Sequence, residues 1–286
     1  MSGICKCKAI FAIGAAALFF AVAFSGCMFG LFEKKAPATA ESPKDFASYA
    51  DPMIGTDFNG HTFPGATAPF GMVQLSPDTN TTGWNHCSGY NYSDKTIMGF
   101  SHTHLSGTGC ADYGDILVMP EVGDLQIVPG DESSPESGYR SKFSHANESA
   151  EPGYYSVKLD DNNVFAELTA TTRVGIHRYT FPASQSAHVI IDLSHGMAYA
   201  DIGTSWSTDA QVSIVDDTTI EGYRGTFGWA PRHVVYFVMQ FSKPFASYGA
   251  WNDMQTSAGS SGTSGRCIGA YADFQTSANE SIVVKV

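Results

Sequence analysis

Residues 154–171 read YYSVKLDDNNVFAELTAT, and this pattern constrains the fold more than any other stretch. Tyr155, Val157 and Leu159 alternate with polar residues, and Val164, Ala166, Leu168 and Ala170 recur at the same spacing. A period of two places each set on one face of a strand, and the intervening Asp160–Asn163 supplies the turn chemistry of a hairpin. The runs Ala187–Leu193 (AHVIIDL) and His233–Phe241 (HVVYFVMQF) are continuously apolar and rich in β-branched and aromatic residues. They read as strands covered on both faces. No long stretch carries apolar residues at helical spacing. Many short strands separated by Gly and Pro turns imply an all-β fold, a large antiparallel β-sandwich.

The sandwich is expected to occupy residues 48–286. What precedes it reads differently. Lys6 and Lys8 form a positive patch before the uncharged apolar run Ala9–Phe24, and Ser25-Gly26-Cys27 follows. This is the layout of a secretory signal peptide over residues 1–26, with an uncleaved membrane anchor as the alternative. AFSGC resembles a bacterial lipobox, with Phe24 where Leu is usual. That resemblance implies lipidation of Cys27 and an extracytoplasmic protein that is lipid-anchored, periplasmic or secreted. Residues 27–47, rich in Ala, Pro and charge, read as a flexible tether. Removal of residues 1–26 takes two Lys and no acids, so the formal net charge moves from −12 to −14. Such a balance argues against nucleic acid as a partner and suits a neutral substrate. Cys87, Cys110 and Cys267 remain beyond Cys27, and Cys87 with Cys110 is the favoured pair if a disulfide forms. Residues 256–266 (TSAGSSGTSGR) read as a Ser/Gly-rich loop within the domain. The alternating ESIVVKV, residues 280–286, carries a strand pattern to the last residue, from which a longer parent protein is expected.

The chemistry gathers between Gly83 and Asp115. Trp84 sits among Gly and polar residues with no apolar periodicity around it. Such an indole is either an exposed platform for the C–H face of a sugar or a cap on the sandwich. His102 and His104 share the i, i+2 spacing that puts two side chains on one side of a strand. With a third ligand from His86, Cys87, Cys110 or Asp112 they could hold zinc. Otherwise they bond sugar hydroxyls or order loops. Asp112 and Asp115 offer two carboxylates, as glycoside hydrolysis needs, although Asp is also an ordinary turn residue. His61–Thr79, punctuated by Pro64, Gly65, Pro69 and Gly71, either lines a cleft or crosses the end of the sandwich before a short strand at 72–75.

Three segments carry a resemblance: DPMIGTDFNGHTFPGATAPFGMVQLSPDT, GWNHCSGYNYSDKTIMGFSHTHLSGTGCADYGDILVMP and AEPGYYSVKLDDNNVFAELTATTRVGIHRYTFP. Together with the rest of Tyr49–Val286 they are similar to the N-terminal domain of glycoside hydrolase family 92. The resemblance implies a calcium-dependent, inverting exo-α-mannosidase acting on α-mannose-containing glycans. It also implies a C-terminal (α/α)6 domain, absent from this chain, that holds the catalytic acid and base and most calcium ligands. Under this reading no residue here is catalytic and the chain alone is inactive. Trp84, His86, Cys87 and His102 are expected to contact substrate, with His104, Asp112 and Tyr113 in support. The pattern departs at Asn80, where family members often carry Arg. A stand-alone carbohydrate-binding lipoprotein with the same sandwich is the competing expectation, and the coding region beyond Val286 distinguishes the two.

Overall fold

The computed structural model describes residues 44–198 and 207–286. The expected signal peptide, the lipidation site Cys27 and all but the end of the tether lie outside the described residues. The compact unit runs from Asp45 to Val286. It opens with a 3-10 turn, Phe46–Tyr49, in which the Ala47 N–H is capped by the Asp45 carboxylate.

Among the described residues the regular structure is strand and short 3-10 turn, as the alternation predicts. One sheet of eight strands runs in the order Ala66–Thr67, Gln74–Asp78, Gly99–Ser101, Leu117–Val122, Ser184–Asp192, Ile268–Thr276, Ser247–Asn252 and Gln255–Ala258. A second, of nine, runs Gly262–Gly265, Ser207–Ile214, Thr219–Thr226, His233–Phe241, Glu280–Lys285, Gly175–Phe181, Val164–Ala170, Tyr154–Leu159 and Glu148–Glu151, and Thr96–Ile97 pairs with Ser141–Lys142 in a small ribbon. Pairing within both is antiparallel. The hairpin read from the sequence is present: Leu159 pairs with Val164 across a four-residue turn in which Asn163 takes a positive φ of 48°. Tyr155, Val157, Leu159, Val164, Ala166 and Leu168 all face the core. Glu280–Lys285 fills the gap between Gly175–Phe181 and His233–Phe241 and sends Ile282 and Val284 inward.

Two expectations are corrected. His233–Phe241 is covered on one face only: Phe237, Met239 and Phe241 are buried, whereas Tyr236 is 73% and Val238 54% exposed. A run of apolar residues does not by itself say what lies on each side, and here the second face is open. Residues 256–266 are largely not loop. Gln255–Ala258 and Gly262–Gly265 are edge strands, one in each sheet, and the turn between them joins the two layers. Edge strands pair on one side only and need no core side chain, so Ser and Gly suffice there.

The two layers meet through rings. Phe274 of the eight-stranded sheet packs on Phe241 of the nine-stranded sheet, with centroids 5.8 Å apart, and Phe100 on Tyr179 at 6.1 Å. Beside them a polar chain also crosses the core. His102 donates from Nδ1 to the Ile116 carbonyl at 2.7 Å. Its Nε2 then accepts from His177 Nε2 at 3.0 Å, and His177 Nδ1 accepts from the Tyr179 hydroxyl at 2.7 Å. A carbonyl can only accept, so with neutral rings every proton in this chain has one place. Burial keeps both rings neutral: it lowers the pKa of His102 to about 4 and that of His177 well below its ordinary value.

A buried acid elsewhere in the eight-stranded sheet gives a pH test. Glu121 lies on Leu117–Val122 and accepts one backbone N–H, from Gln126 at 3.3 Å. Burial raises its pKa from 4.5 to about 8. Between those values the unfolded chain has released a proton that the folded chain still holds, so this group costs stability as pH rises. Glu121→Gln removes that cost. Its stability relative to wild type should climb from pH 4.5 to pH 8, by at most about 1.4 kcal/mol per pH unit. Denaturant unfolding across that range checks this, and parallel profiles would contradict it.

Candidate functional site

The loop after Gly99–Ser101 turns back through residues 102–116 before the next strand, and its end is tightly bent. Tyr113, Gly114 and Ile116 all have positive φ, at 70°, 77° and 58°. For Tyr, and more so for a β-branched Ile, this backbone is unfavourable by the order of 1–3 kcal/mol. Asp115 lies within this turn, and its surroundings hold the turn in place. The Asp115 carboxylate pairs with the Arg224 guanidinium, both fully buried. It also accepts from Thr103 Oγ1 at 2.7 Å and faces His233 Nε2 at 3.3 Å. The Asp115 N–H donates to Thr103 Oγ1, and Arg224 Nε donates to the Leu193 carbonyl. Burial alone would raise the Asp115 pKa. Arg224, His233 and Thr103 outweigh it and bring the value to about 2. The same carboxylate raises the pKa of His233.

A second buried carboxylate organises the loop from the other side. Asp78 Oδ1 accepts from His104 Nε2 at 2.7 Å and Oδ2 from His195 Nε2 at 2.8 Å. His104 Nδ1 donates to the Gln74 carbonyl at 2.7 Å. Burial works against ionised Asp78, but the two His hold its pKa well below the carboxylate range. Gly89 makes room for this carboxylate: a Cβ there would lie 2.0 Å from Asp78 Oδ1.

Between these two anchors a cavity of about 720 Å³ opens. His104, Tyr113, Asp115, His233 and Gln74 give it polar groups, and Leu105, Met72 and Tyr236 give it apolar rim. An adjoining cavity of about 350 Å³ is lined by Leu105, Asp112, Tyr113, Trp229 and Ala230. A third, of about 210 Å³, shares Met72, Thr103 and Tyr236 with the first and reaches His102 and Arg173. A few convergent polar groups among apolar walls is the usual make-up of a small-molecule site.

The structure separates the residues expected to contact substrate. Trp84 opens a 3-10 turn, Trp84–His86, and is 55% exposed. Its ring meets the edge of His61, with centroids 4.8 Å apart. Two residues on, Phe63 packs against the His104 ring at 5.2 Å, so the segment 61–63 joins Trp84 to the cavity wall. His86 spends both ring nitrogens on its own loop, Nδ1 on the Thr82 carbonyl and Nε2 on Asp94, each at 2.9 Å. Burial opposes a charge on His86, but Asp94 prevails and raises its pKa. Cys87 is fully buried with Ala111 and Met197. Its thiol pKa is raised, by burial first. Cys87, Cys110 and Cys267 are free thiols. The His102 ring lies in the polar chain between the sheets. The residues placed in support come closer to the cavities: His104 and Tyr113 line the one of about 720 Å³, and Asp112 and Tyr113 the one of about 350 Å³.

Asp112 and Asp115 are not a free carboxylate pair. Asp112 accepts from the backbone N–H groups of Tyr113 at 2.8 Å and Ala230 at 3.0 Å, and Asp115 is taken up by Arg224. His102 and His104 also part company, one bonded to His177 and the other to Asp78. Among the described residues no group of three or more His, Cys, Asp or Glu is arranged to hold a metal ion. Sequence reasoning missed Arg224, His195 and His233. Arg224 alone left a signal: it shares the inward face of Thr219–Thr226 with Ile220, a position where an unpaired charge is excluded.

A two-layer β-sandwich with a polar, aromatic-rimmed cavity at one loop cluster is thus the class of domain that this chain forms. Residues 49–286 match the model of the glycosyl hydrolase family 92 N-terminal domain, and the chain belongs to that family. It is 38% identical to a family 92 α-mannosidase of Bacteroides thetaiotaomicron solved in complex with mannoimidazole, with a TM-score of 0.79 over 85% of this chain and 32% of that one. An inverting family 92 mannosidase of Bacteroides thetaiotaomicron VPI-5482 is 26% identical, with a TM-score of 0.70 over 85% and 32%. An uncharacterized secreted glycosidase of Arthroderma benhamiae is 29% identical over 203 residues, 66% of this chain and 24% of that protein. The chain therefore spans about a quarter to a third of the length of these relatives.

Removing the central carboxylate gives a sharp test of the anchor. Asp115→Asn leaves the Arg224 charge buried and unpaired and should cost about 3–5 kcal/mol. Asp112→Asn keeps one good acceptor and should cost only about 1–2 kcal/mol. Urea unfolding of the two variants beside wild type measures the difference. Equal losses would remove Asp115 from its place at the centre of the loop.

Proposed function

We propose that this chain forms one wall of the mannose pocket of an inverting exo-α-mannosidase. The observation that carries the reading is the exposed Trp84 indole, tied through His61 and Phe63 to a cavity that can hold a sugar ring. The mannoimidazole complex of the family 92 relative supports mannose as the sugar. Trp84 makes the direct contact, its face against the pyranose C–H groups. His86 supports it by fixing the turn through Asp94 and Thr82, Cys87 by packing with Ala111 and Met197, and His102 acts from the wall of the cavity of about 210 Å³. His104, Asp112 and Tyr113 shape the neighbouring cavity.

Catalysis belongs to the remainder of the enzyme. An inverting hydrolase needs one carboxyl group as acid and another as base, about 6.5–9.5 Å apart. The two buried carboxylates beside the cavity, Asp78 and Asp115, are held ionised by fixed partners and serve as anchors. We assign the acid and base, and the calcium that the family resemblance implies, to the (α/α)6 domain of the whole enzyme. Tyr236, Val238 and Met72 form the exposed apolar rim on which that domain packs. Lipidation at Cys27 would hold the enzyme outside the cytoplasm on a bacterial membrane. The secreted relative supports an extracytoplasmic location.

The 286-residue chain alone is expected to show no hydrolysis of 4-nitrophenyl α-mannoside, with or without added calcium. Calcium-dependent turnover by the chain would sink this division of labour. In the whole enzyme Trp84→Ala should lower kcat/KM by the equivalent of about 2–4 kcal/mol, roughly 30- to 1000-fold. A near-normal kcat/KM with a lowered melting temperature would instead make Trp84 a structural cap.

A further inference from the structure

Trp229 stands in the hairpin loop, residues 227–232, that joins Thr219–Thr226 to His233–Phe241, and it is 66% exposed. A single exposed ring on a loose loop would mean little. This loop is fixed. The Gly228 N–H donates to the Ala230 carbonyl at 2.9 Å, which tightens the tip. The Ala230 N–H donates to Asp112 Oδ2 at 3.0 Å, and Asp112 is buried. Gly228 lies against the same carboxylate: a Cβ there would fall 2.6 Å from Oδ1. Both neighbours of Trp229 are thus held to the loop of residues 102–116 while the indole stays in water. Beside it is the cavity of about 350 Å³, which shares Leu105 and Tyr113 with the cavity of about 720 Å³. The two hollows meet at those side chains.

We propose that the cavity beside Trp229 is a second sugar subsite, which takes the residue linked to the mannose held in the larger cavity, with the Trp229 indole as its stacking platform. Its volume falls within the range of about 300–1,000 Å³ usual for small-molecule sites. Its lining residues, Leu105, Asp112, Tyr113, Trp229 and Ala230, include no cation to attract an anionic ligand. The Asp112 carboxylate is engaged by the Tyr113 and Ala230 N–H groups, and Tyr113 adds a phenol hydroxyl. An exposed indole with a phenol beside it suits a neutral, hydroxyl-rich ring with an apolar C–H face. Because Asp112 holds the loop before any ligand arrives, little ordering is left to be done on binding. Asp112 is then a positioning residue for Trp229. This inference rests on the sugar-wall reading and extends the ligand from one sugar to at least two linked ones.

The test is the gain in affinity from one sugar to two, read by NMR titration of the 286-residue chain. Methyl α-D-mannopyranoside is compared with the methyl α-mannobiosides of α-1,2, α-1,3 and α-1,6 linkage. Wild type should bind at least one of the disaccharides about tenfold more tightly than the monosaccharide. Trp229→Ala should bring that disaccharide to within twofold of the monosaccharide and leave the monosaccharide affinity within twofold of wild type. Trp229→Phe, which keeps a ring, should recover part of the gain. Both ligands are measured on the same sample, so the ratio does not depend on the folded fraction. No gain with any of the three linkages overturns the proposal. A gain that survives Trp229→Ala also overturns it, and would leave Trp229 to contact another domain. Equal losses for both ligands overturn it too, because Trp229 would then belong to the first sugar. In each of these cases a wild type that binds the monosaccharide leaves the sugar wall standing. If wild type binds none of the glycosides, both readings fail.

Discussion

The buried pair between Asp115 and Arg224 is the interaction on which the site depends. Arg224 belongs to a strand of the nine-stranded sheet, and Asp115 to a bent turn leading into the eight-stranded sheet. Their bond fastens the loop of residues 102–116 to the opposite layer. The positive φ values at Tyr113 and Ile116 are tolerable because the carboxylate they present is held by a guanidinium, a hydroxyl and an imidazole. With that turn fixed, the His102 N–H meets the Asp115 carbonyl, the Gly114 N–H meets the Thr103 carbonyl, and His104 is delivered to Asp78. A buried ion pair adds little net stability over an apolar contact, but it is costly to break and so fixes one arrangement.

The carboxylates Asp78 and Asp115 act as structural anchors. A general acid at neutral pH needs a raised pKa, and a nucleophile or base needs an accessible carboxylate. Asp78 and Asp115 have lowered values and buried, occupied oxygens. Glu121, the acid with the raised value, lines none of the three cavities described. The two aspartates anchor the loops, around which His104, Tyr113 and the exposed indoles of Trp84 and Trp229 are set. This agrees with the place of the chain as the N-terminal domain of a family whose members are some three times as long.

Much of the fold was legible in the chain because period-two alternation is a local property. The 154–170 hairpin and the inward residues of Glu280–Lys285 lie where the pattern puts them. The errors came where the deciding fact is non-local. Whether His233–Phe241 is covered on one face or two depends on what packs outside it, and whether 256–266 pairs depends on free sheet edges. The site was half legible for the same reason. The crowding of His, Asp, Trp and Tyr between Gly83 and Asp115 marked the loop, and Trp84 is exposed as an aromatic among glycines suggests. Which histidine turns inward was not legible. His102 is committed by His177, 75 residues on, and His104 by Asp78, 26 residues back. Arg224 and His195 reach the site from still farther along the chain.

In the proposed pocket Trp84 faces a bound sugar. The four tryptophans of the chain, Trp84, Trp206, Trp229 and Trp251, give four indole N–H resonances. Trp84→Phe assigns the one that matters, and Trp251, buried in the core, serves as the internal control. Titration with methyl α-D-mannopyranoside should shift the Trp84 resonance in a saturable way and leave Trp251 in place. A Trp84 resonance unmoved at saturating glycoside, or movement confined to the other three, would contradict the account.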